Sequence, residues 1–392
     1  MIDVSQYSPF AADVKENPYP FYAWLREHQP VYYNAQYDFW ALSRYDDIVK
    51  AARRPEVFTS TQGVGPDKMY GFSMITQDPP THSRLRKLVN RGFTPRAIEQ
   101  YAPRIQTIID ELLDAVLDKG AFDLVEDYAI PLPVTVIAEI LGVEPERRDD
   151  FKRWSDDVVH FIGGVAHGSD REQLRRSWDE FRAYFLEIMD ARRRQPRDDI
   201  VSILVRAHQD EDMLSEMEFL NFCQLLLVAG NETTTNLIAN GALAFVKHAD
   251  EWRKLQEQPD LARRAVEEML RYDSPVQLVY RTTTREVEIR GTTVPANSKV
   301  AMLWGSANHD AEVFPEAEQF DITRHPNPHV SFGSGIHYCL GSSLARLEVK
   351  LTLETFVRRL PQLHQDPDGI CERVDNPLLR GFTRYPMLCE AA

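Results

Sequence analysis

The feature that most constrains the fold of this chain is a long segment without proline. No proline occurs between Pro196 and Pro259, and Ser215 with Glu218 has the sequence pattern of a helix-capping box. The apolar stretch FLNFCQLLLVAGNETTTNLIANGALAFV follows directly. Because nothing in it breaks a helix, the sequence predicts one helix of about 30 residues, roughly 45 Å long. Such a helix would traverse a whole domain, so the remaining elements must be arranged around it.

The flanking segments predict a mixture of helices and short strands. Val31–Tyr45 is rich in aromatic and β-branched residues and predicts a hairpin, and strand patterns return after Tyr280. Helical periodicity dominates from Thr94 to about Val246, and the polar stretch Gly168–Gln173 is interpreted as a loop. We therefore expect a mainly α fold with small β-sheets (α+β) in a single domain, residues 1–392, with a β-rich part at about 30–60 and 280–305 and a helical part at about 80–275 and 343–360.

Composition excludes several classes of partner. The 392 residues include 60 acidic and 45 basic side chains, a formal net charge of -15. An acidic chain gains little from counterion release, so nucleic acid is not an expected partner. No stretch reaches the about 18 consecutive apolar residues of a membrane span, and the opening MIDVSQYSPF lacks the pattern of a secretory signal. We expect a cytoplasmic, monomeric protein without a membrane anchor.

One cysteine has a distinctive environment. Within Phe332–Arg346 (FGSGIHYCLGSSLAR), glycines precede and follow Cys339, and a helical run begins just after it. A thiolate at a helix start is favoured by the helix dipole and by backbone N–H groups, and thiolates are good iron ligands. The alternative is a buried structural cysteine in a glycine turn. The other cysteines form no CxxC pair and have no assigned role; they are Cys223, Cys371 and Cys389.

This segment resembles the haem-binding signature of the cytochrome P450 family, Phe-Gly-x-Gly-x-His-x-Cys-x-Gly followed by Leu-Ala-Arg, without a gap or substitution. The resemblance implies a triangular-prism fold with a long central helix across a haem b. It also implies that Cys339 is the axial thiolate of the haem iron, donating electron density that favours O–O cleavage. His337 would hydrogen-bond a haem propionate, with Phe332 and Gly341 beside the cofactor.

A second segment resembles the family's helix over one haem edge. In DPPTHSRLR (78–86), His82 and Arg86 are four residues apart on one helical face and would bind propionate oxygens. Arg281 would bind the other propionate. The opposite face is basic, and the resemblance favours docking of an acidic ferredoxin there, although a solvated face is the alternative. Its residues are Arg84, Lys87 and Arg91.

A third match concerns structure more than chemistry. Glu268 and Arg271, in EEMLRYDSP, are three residues apart and by themselves would form an ordinary surface ion pair. The family buries such a Glu-x-x-Arg pair with an arginine from a later loop. FPEAEQFDITR resembles that loop and supplies Arg324. We interpret the three residues as a structural triad.

The sequence AGNETT (229–234) lies midway along the long helix. By itself, a mid-helix threonine commonly donates to the i−4 carbonyl and an acid there is commonly solvated. The stretch resembles the family's oxygen-activation motif, in which the acid and first threonine relay protons. The resemblance therefore assigns catalysis to Glu232 and Thr233, and contact with the cofactor and O₂ to Ala229 and Gly230.

Together these matches imply a haem-thiolate monooxygenase that hydroxylates or epoxidises a lipophile such as a steroid, terpenoid, fatty acid or polyketide. Electrons would come from NAD(P)H through ferredoxin reductase and ferredoxin, since the chain has no GxGxxG segment or iron–sulfur cysteine cluster. The alternatives are a peroxide-driven peroxygenase and a non-catalytic haem-thiolate binding protein. The family's substrate walls correspond roughly to 69–74, 158–165, 277–279 and 379–382. The expected pocket residues are Met74, Val228, Ala229, Gln277, Leu278, Val279 and Phe382.

Overall fold

The computed structural model describes residue 3 and residues 6–67, 73–117, 119–162, 168–197, 199–209, 214–360 and 362–389. Its helices are α1 Ala12–Glu16, α2 Tyr19–His28, α3 Tyr45–Ala52, α4 Thr81–Val89, α5 Pro95–Glu99, α6 Ala102–Leu117, α7 Pro131–Ile140, α8 Arg148–Ile162, α9 Gly168–Arg194, α10 Ile200–Gln209, α11 Glu216–Lys247, α12 Ala249–Glu257, α13 Ala262–Tyr272, α14 Trp304–Ala307 and α15 Ser342–Arg359. Its strands are β1 Val31–Asn34, β2 Phe39–Leu42, β3 Phe58–Thr59, β4 Ala121–Asp123, β5 Val279–Thr283, β6 Val287–Ile289, β7 Thr292–Val294, β8 Lys299–Met302, β9 His364–Gln365, β10 Glu372–Arg373, β11 Phe382–Arg384 and β12 Pro386–Leu388.

Helix α11 is the predicted long helix. It has 32 residues and is about 48 Å long. Ser215 accepts from the backbone N–H of Glu218, whose carboxylate accepts from the N–H of Ser215, so the predicted capping box is confirmed. The helix packs against α7, α8, α13 and α15, which makes it the centre of the helical part. Across the described part of the chain, no helix combines the length and the apolar character that a bilayer span demands.

A five-stranded sheet, in the order β1-β2-β8-β5-β3, joins the two predicted β-rich segments. Strands β1 and β2 form the predicted antiparallel hairpin, with Val31 opposite Leu42. Strand β8 pairs parallel to β2 and antiparallel to β5. A smaller core lies between this sheet and the N-terminal helices, and a larger one lies among the helices around α11.

Two other small sheets were not predicted. Strands β4, β12 and β9 form one of them, and β10 and β11 form another. Each of these strands has two or three residues, which is too short to show an alternating pattern.

The predicted loop at Gly168–Gln173 is wrong, because helix α9 begins at Gly168. The polarity that indicated a loop is also compatible with a helix whose polar side chains face solvent, as Glu172 and Gln173 do.

Candidate active site

The cysteine loop, residues 332–341, leads directly into helix α15. The backbone N–H of Cys339 donates to the carbonyl oxygen of Phe332 at 2.9 Å, which closes the loop. Gly335 has φ +75°, and a Cβ there would collide with the carbonyl oxygen of Ala52. Glycine is therefore required at this position for both conformation and space.

The protonation of Cys339 depends on opposing effects. Burial raises the pKa of the thiol, because a thiolate loses hydration when it is buried. Backbone N–H groups of Gly341 and Ser342 and the charges of Arg86 and Arg346 act in the opposite direction. The net direction is upward, although the backbone N–H groups at the start of α15 lower the pKa, as the sequence predicts. A metal cation bound to the sulfur would supply the additional stabilisation that such a thiolate requires.

Four buried or half-buried basic side chains meet near this loop. They belong to His82, Arg86, Arg281 and His337. The rings of His82 and His337 are 4.4 Å apart, and Ser60 Oγ lies 3.0 Å from His337 Nε2. His82 is 2% exposed, and neither ring nitrogen has a hydrogen-bond partner among the described residues. Arg281 is also buried and donates from Nη1 to the carbonyl oxygen of Tyr280 at 2.8 Å.

The electrostatics of these residues indicate an anionic ligand. Burial, reinforced by Arg281 and other cations, lowers the pKa of His337 to about 2. Burial likewise lowers the pKa values of His82, Arg86 and Arg281, the last to about 10. Among the described residues, no carboxylate lies within ion-pair distance of Arg86 or Arg281. Two carboxylates would satisfy this set, so the residues present fit the propionates of a haem.

The middle of α11 has one accessible turn between buried ones. Ala229 is exposed and Val228 is partly exposed, although Leu227 and Asn231 beside them are buried. A Cβ at Gly230 would meet Ile137 of α7 at 3.7 Å, an ordinary contact. The alanine is therefore the most accessible point of this turn.

The two predicted catalytic residues lie one turn further along. Glu232 and Thr233 are partly exposed, whereas Thr234 and Thr235 are buried. The Thr233 hydroxyl donates to the carbonyl oxygen of Ala229 at 2.9 Å, as an isolated mid-helix threonine commonly does. Its oxygen retains lone pairs that can accept from water.

The Glu268–Arg271–Arg324 triad is assembled in the structure. Arg271 donates to both carboxylate oxygens of Glu268 at 2.8 and 2.9 Å, and both residues have no exposed side-chain surface. Arg324 Nε lies 3.2 Å from the same oxygens. Asn327 also donates to Glu268, at 3.1 Å. The first two residues are therefore not the surface ion pair that their spacing alone suggests.

Three expected pocket residues are buried elsewhere. Gln277 donates to the carbonyl oxygen of Ser274 at 2.8 Å, and Leu278 is 1% exposed in the core beside the five-stranded sheet. The ring of Phe382 lies under the guanidinium of Arg373, 4.0 Å from its carbon. The burial of these three side chains does not support the prediction that they line the pocket.

The remaining pocket predictions have mixed outcomes. Val228 and Val279 are partly exposed, while Met74 is buried beside Leu85 and Phe222. Residues 69–72 and 163–165, and the side chains of 158–162, lie outside the described residues.

The predicted basic face is smaller than expected. Arg84 forms an ion pair with Glu218, the capping residue of α11, so this arginine joins α4 to the long helix. Its helical-wheel position predicted a shared face but could not show a partner more than 130 residues away. Lys87 and Arg91 are exposed.

Sequence reasoning missed residues that contact the cysteine loop or α11. Glu267 binds Arg346 in a bidentate pair, and the buried Glu348 accepts from Thr234. Burial raises the pKa of Glu348 to about 8. The pairing Glu267–Arg346 had one available signal, since both residues stand inside motifs already singled out.

Comparison with known proteins agrees with this geometry. Residues 151–379 match the family model described as Cytochrome P450. The chain is 42% identical to the steroid C26-monooxygenase of Mycobacterium tuberculosis over 87% of this chain and 86% of that protein. It is 38% identical to the biotin biosynthesis cytochrome P450 of Bacillus subtilis, over 91% and 92% of the two chains. The crystal structure of CYP109E1 from Bacillus megaterium in complex with testosterone superposes with a TM-score of 0.88 at 35% identity, covering 95% of this chain and 99% of that one. This chain therefore belongs to the cytochrome P450 family and is a haem-dependent P450 monooxygenase.

Proposed function

We propose that the enzyme inserts one oxygen atom from O₂ into a lipophilic small molecule, by C–H hydroxylation or epoxidation, using a cleft beside Ala229. The observation that supports this is the asymmetry of α11, in which Ala229 is exposed and Glu232 and Thr233 are partly exposed, while Thr234 and Thr235 are buried. A haem b held through Cys339 supplies the activation of dioxygen.

The basic residues divide the work of holding this cofactor. Cys339 would hold the haem iron through its sulfur, and His82, Arg86, Arg281 and His337 would supply donors for the two propionates. Arg281 is fixed by its bond to the Tyr280 carbonyl, and His337 by its contact with Ser60. Preorganised donors of this kind orient a carboxylate without further rearrangement.

Thr233 and Glu232 deliver protons in this proposal. The Thr233 proton is engaged by the Ala229 carbonyl, so its oxygen accepts from a water molecule and orients that water in the cleft. Glu232 is the adjacent ionisable group and restores the proton that the water gives up. General acid catalysis of this kind contributes typically 10²–10⁴-fold.

The apolar residues around Ala229 and the names of relatives support the proposed substrate class. Val228, Ala229 and Val279 offer an apolar surface, which favours a lipophilic body. The names of the mycobacterial relative and of the testosterone complex point towards a steroid. We infer that the electrons arrive from NAD(P)H through ferredoxin reductase and a ferredoxin docking near Lys87 and Arg91. Attraction of an acidic ferredoxin to these exposed cations would accelerate the encounter.

The decisive experiment compares Thr233→Ala and Glu232→Gln with Thr235→Ala in the haem-loaded enzyme, with testosterone as the probe. Thr235 is a matched control because its hydroxyl donates to the Ala129 carbonyl at 2.8 Å, away from the cleft. The first two variants should lose about 100-fold in product formation while still consuming NAD(P)H, and the control should not.

Two results would overturn this assignment. Undiminished product from both variants with hydrogen peroxide as the sole oxidant would indicate a peroxygenase. NAD(P)H consumption without product from any lipophile that shifts the haem spectrum would indicate a non-catalytic binding protein. Cys339→Ser provides the check on the iron ligand, since it should abolish the red-shifted band of the reduced carbon monoxide adduct.

A further inference from the structure

The guanidinium of Arg346 is held by a carboxylate on another helix. Its Nε donates to Glu267 Oε1 at 2.6 Å and its Nη2 donates to Oε2 at 2.8 Å. His329 Nε2 lies 2.9 Å from the same Oε2. This bidentate geometry fixes the orientation of the guanidinium plane, which a single contact would leave free to rotate.

Arg346 in turn contacts the cysteine loop at two points of the chain that leads to Cys339. Its guanidinium carbon lies 4.4 Å from the ring centroid of Phe332, at the start of the loop. Its Nη1 donates to the Tyr338 hydroxyl at 3.2 Å, one residue before Cys339. The Phe332 carbonyl accepts from the N–H of Cys339, and Tyr338 is bonded to Cys339 in the chain. Each of the two residues that Arg346 contacts is therefore directly linked to the ligand.

The pair also affects the charge near the sulfur. The guanidinium of Arg346 donates to the hydroxyl of Tyr338, the residue next to Cys339, so it places a positive charge beside the ligand's segment of the loop. Burial alone would raise the pKa of Glu267, but hydrogen bonds from Arg346 and His329 lower it to about 2. Glu267 is therefore ionised at neutral pH, and its charge compensates that of the guanidinium.

We propose that Glu267 and Arg346 are positioning residues that fix the cysteine loop and set the electron-donating strength of the Cys339 thiolate. This inference rests on the proposed role of Cys339 as iron ligand. Glu267 holds the guanidinium against Phe332 and Tyr338 and balances its charge. An uncompensated Arg346 would stabilise negative charge on the sulfur and on reduced iron, and would make the thiolate a weaker donor.

The neighbouring Glu268 does not share this role. Its carboxylate is committed to Arg271, Arg324 and Asn327, whereas Glu267 is committed to Arg346 and His329. Two adjacent acids on α13 thus serve separate partners.

The test is the midpoint reduction potential of the haem-loaded protein, with Glu267→Gln as the main variant. Glutamine keeps the shape and removes the charge, so the potential should rise and the band of the reduced carbon monoxide adduct should decay faster. Glu267→Asp, which retains the charge, should restore most of both properties.

Glu139→Gln is the matched control. Glu139 has a side chain 24% exposed, against 25% for Glu267, and it also binds an arginine bidentately, Arg104 at 2.8 and 2.9 Å. It lies on α7, so its variant should keep the wild-type potential and band.

Arg346→Lys extends the test if Glu267→Gln fails to load haem. Lysine retains the charge but cannot form the fork or stack in the same way. We expect its band to decay faster than that of wild type while the potential changes little. The proposal is overturned if the variants that load haem match wild type and Glu139→Gln in both potential and band stability. Absence of the band from wild type would instead refute Cys339 as the ligand.

Discussion

The structural triad and the basic cluster beside the cysteine loop both bury positive charge, but they differ in how many of their donor groups have a hydrogen-bond acceptor within the protein. In the triad, every donor group of Arg271 has an acceptor, from Glu268 and from the carbonyls of Asn308, Ala317 and Gln319. In the basic cluster beside the cysteine loop, His82 has no partner for either ring nitrogen and Arg281 has only the Tyr280 carbonyl among its described hydrogen bonds.

This difference separates a structural cluster from a binding cluster. Burying a charge costs free energy unless hydrogen bonds and an opposite charge compensate it. The triad is compensated within the protein, so its contribution is to the fold. The basic cluster is under-compensated, so an anion bound to it, as proposed for the haem propionates, would add to its stability.

The largest expected effect on the free energy of unfolding comes from removing the central arginine of the triad. Arg271→Ala would leave the Glu268 carboxylate buried without its main partner, and such changes typically cost about 3–5 kcal/mol. Urea denaturation should report this loss in the free energy of unfolding. Arg176→Ala is the control, because Arg176 forms an exposed pair with Glu172 and its removal should have no measurable effect. If the two substitutions lowered the free energy of unfolding equally, the buried triad would contribute no more to stability than an exposed ion pair.

The second effect concerns a buried acid, Glu348, whose hydrogen bonding is less complete than that of the triad. Glu348 is 2% exposed, with a pKa raised to about 8 by burial and only partly offset by Thr234. The folded state therefore keeps a proton that the unfolded state releases above its ordinary pKa near 4.5. The contribution of this group to stability is complete below that value and falls as pH rises to about 8, by up to about 5 kcal/mol if the whole shift is expressed.

Glu348→Gln tests this sign. Glutamine resembles the protonated acid but does not titrate, so the variant should lose this pH dependence and be more stable than wild type near pH 8. Denaturation curves at several pH values between 5 and 9 measure the difference. A wild-type stability that rises through this interval, with an identical rise in the variant, would contradict the assigned protonation state.

The sequence predicted the parts of the molecule whose signals are local. Helix α11 follows from its capping box and uninterrupted apolar pattern, and the hairpin of β1 and β2 follows from its aromatic and β-branched residues. The cysteine loop was found because its glycines and cysteine are contiguous. Its fixed spacing reflects the contact of Gly335 with Ala52, which tolerates no side chain.

The missed features depend on residues far apart in the chain. Arg84 was assigned to a free basic face because its partner Glu218 is distant, and Glu267 and Arg346 are likewise 79 positions apart. Lys299 is another example, because its ammonium lies 3.0–3.5 Å from four backbone carbonyl oxygens of residues 62–67. Backbone acceptors carry no sequence signature, so periodicity cannot reveal such a contact.

The smallest of the three effects, that of replacing Arg281, is the most direct test of the difference between the basic cluster and the triad. Arg281→Met replaces an under-compensated buried cation with an apolar side chain, so the haem-free protein should become no less stable and could gain stability. Haem should be held more weakly, because a charge-assisted hydrogen bond contributes about 1.5–3 kcal/mol, or roughly 10- to 100-fold in affinity. Transfer of haem to apomyoglobin measures this affinity, and urea denaturation measures stability.

Arg26→Met is the matched control for Arg281→Met. Arg26 is 8% exposed, against 7% for Arg281, but its guanidinium donates to the carbonyl and hydroxyl oxygens of Ser306 at 3.0 and 3.1 Å. Its loss should lower stability, because those acceptors lose their partner, and should leave haem transfer unchanged. Arg281→Met should therefore weaken haem binding without loss of stability, and Arg26→Met should do the reverse. This is the result expected if hydrogen bonds within the protein distinguish structural cations from ligand-binding ones. Should both variants lose stability equally and retain haem equally well, that distinction fails, and Arg281 belongs with Arg271 in the framework of the fold.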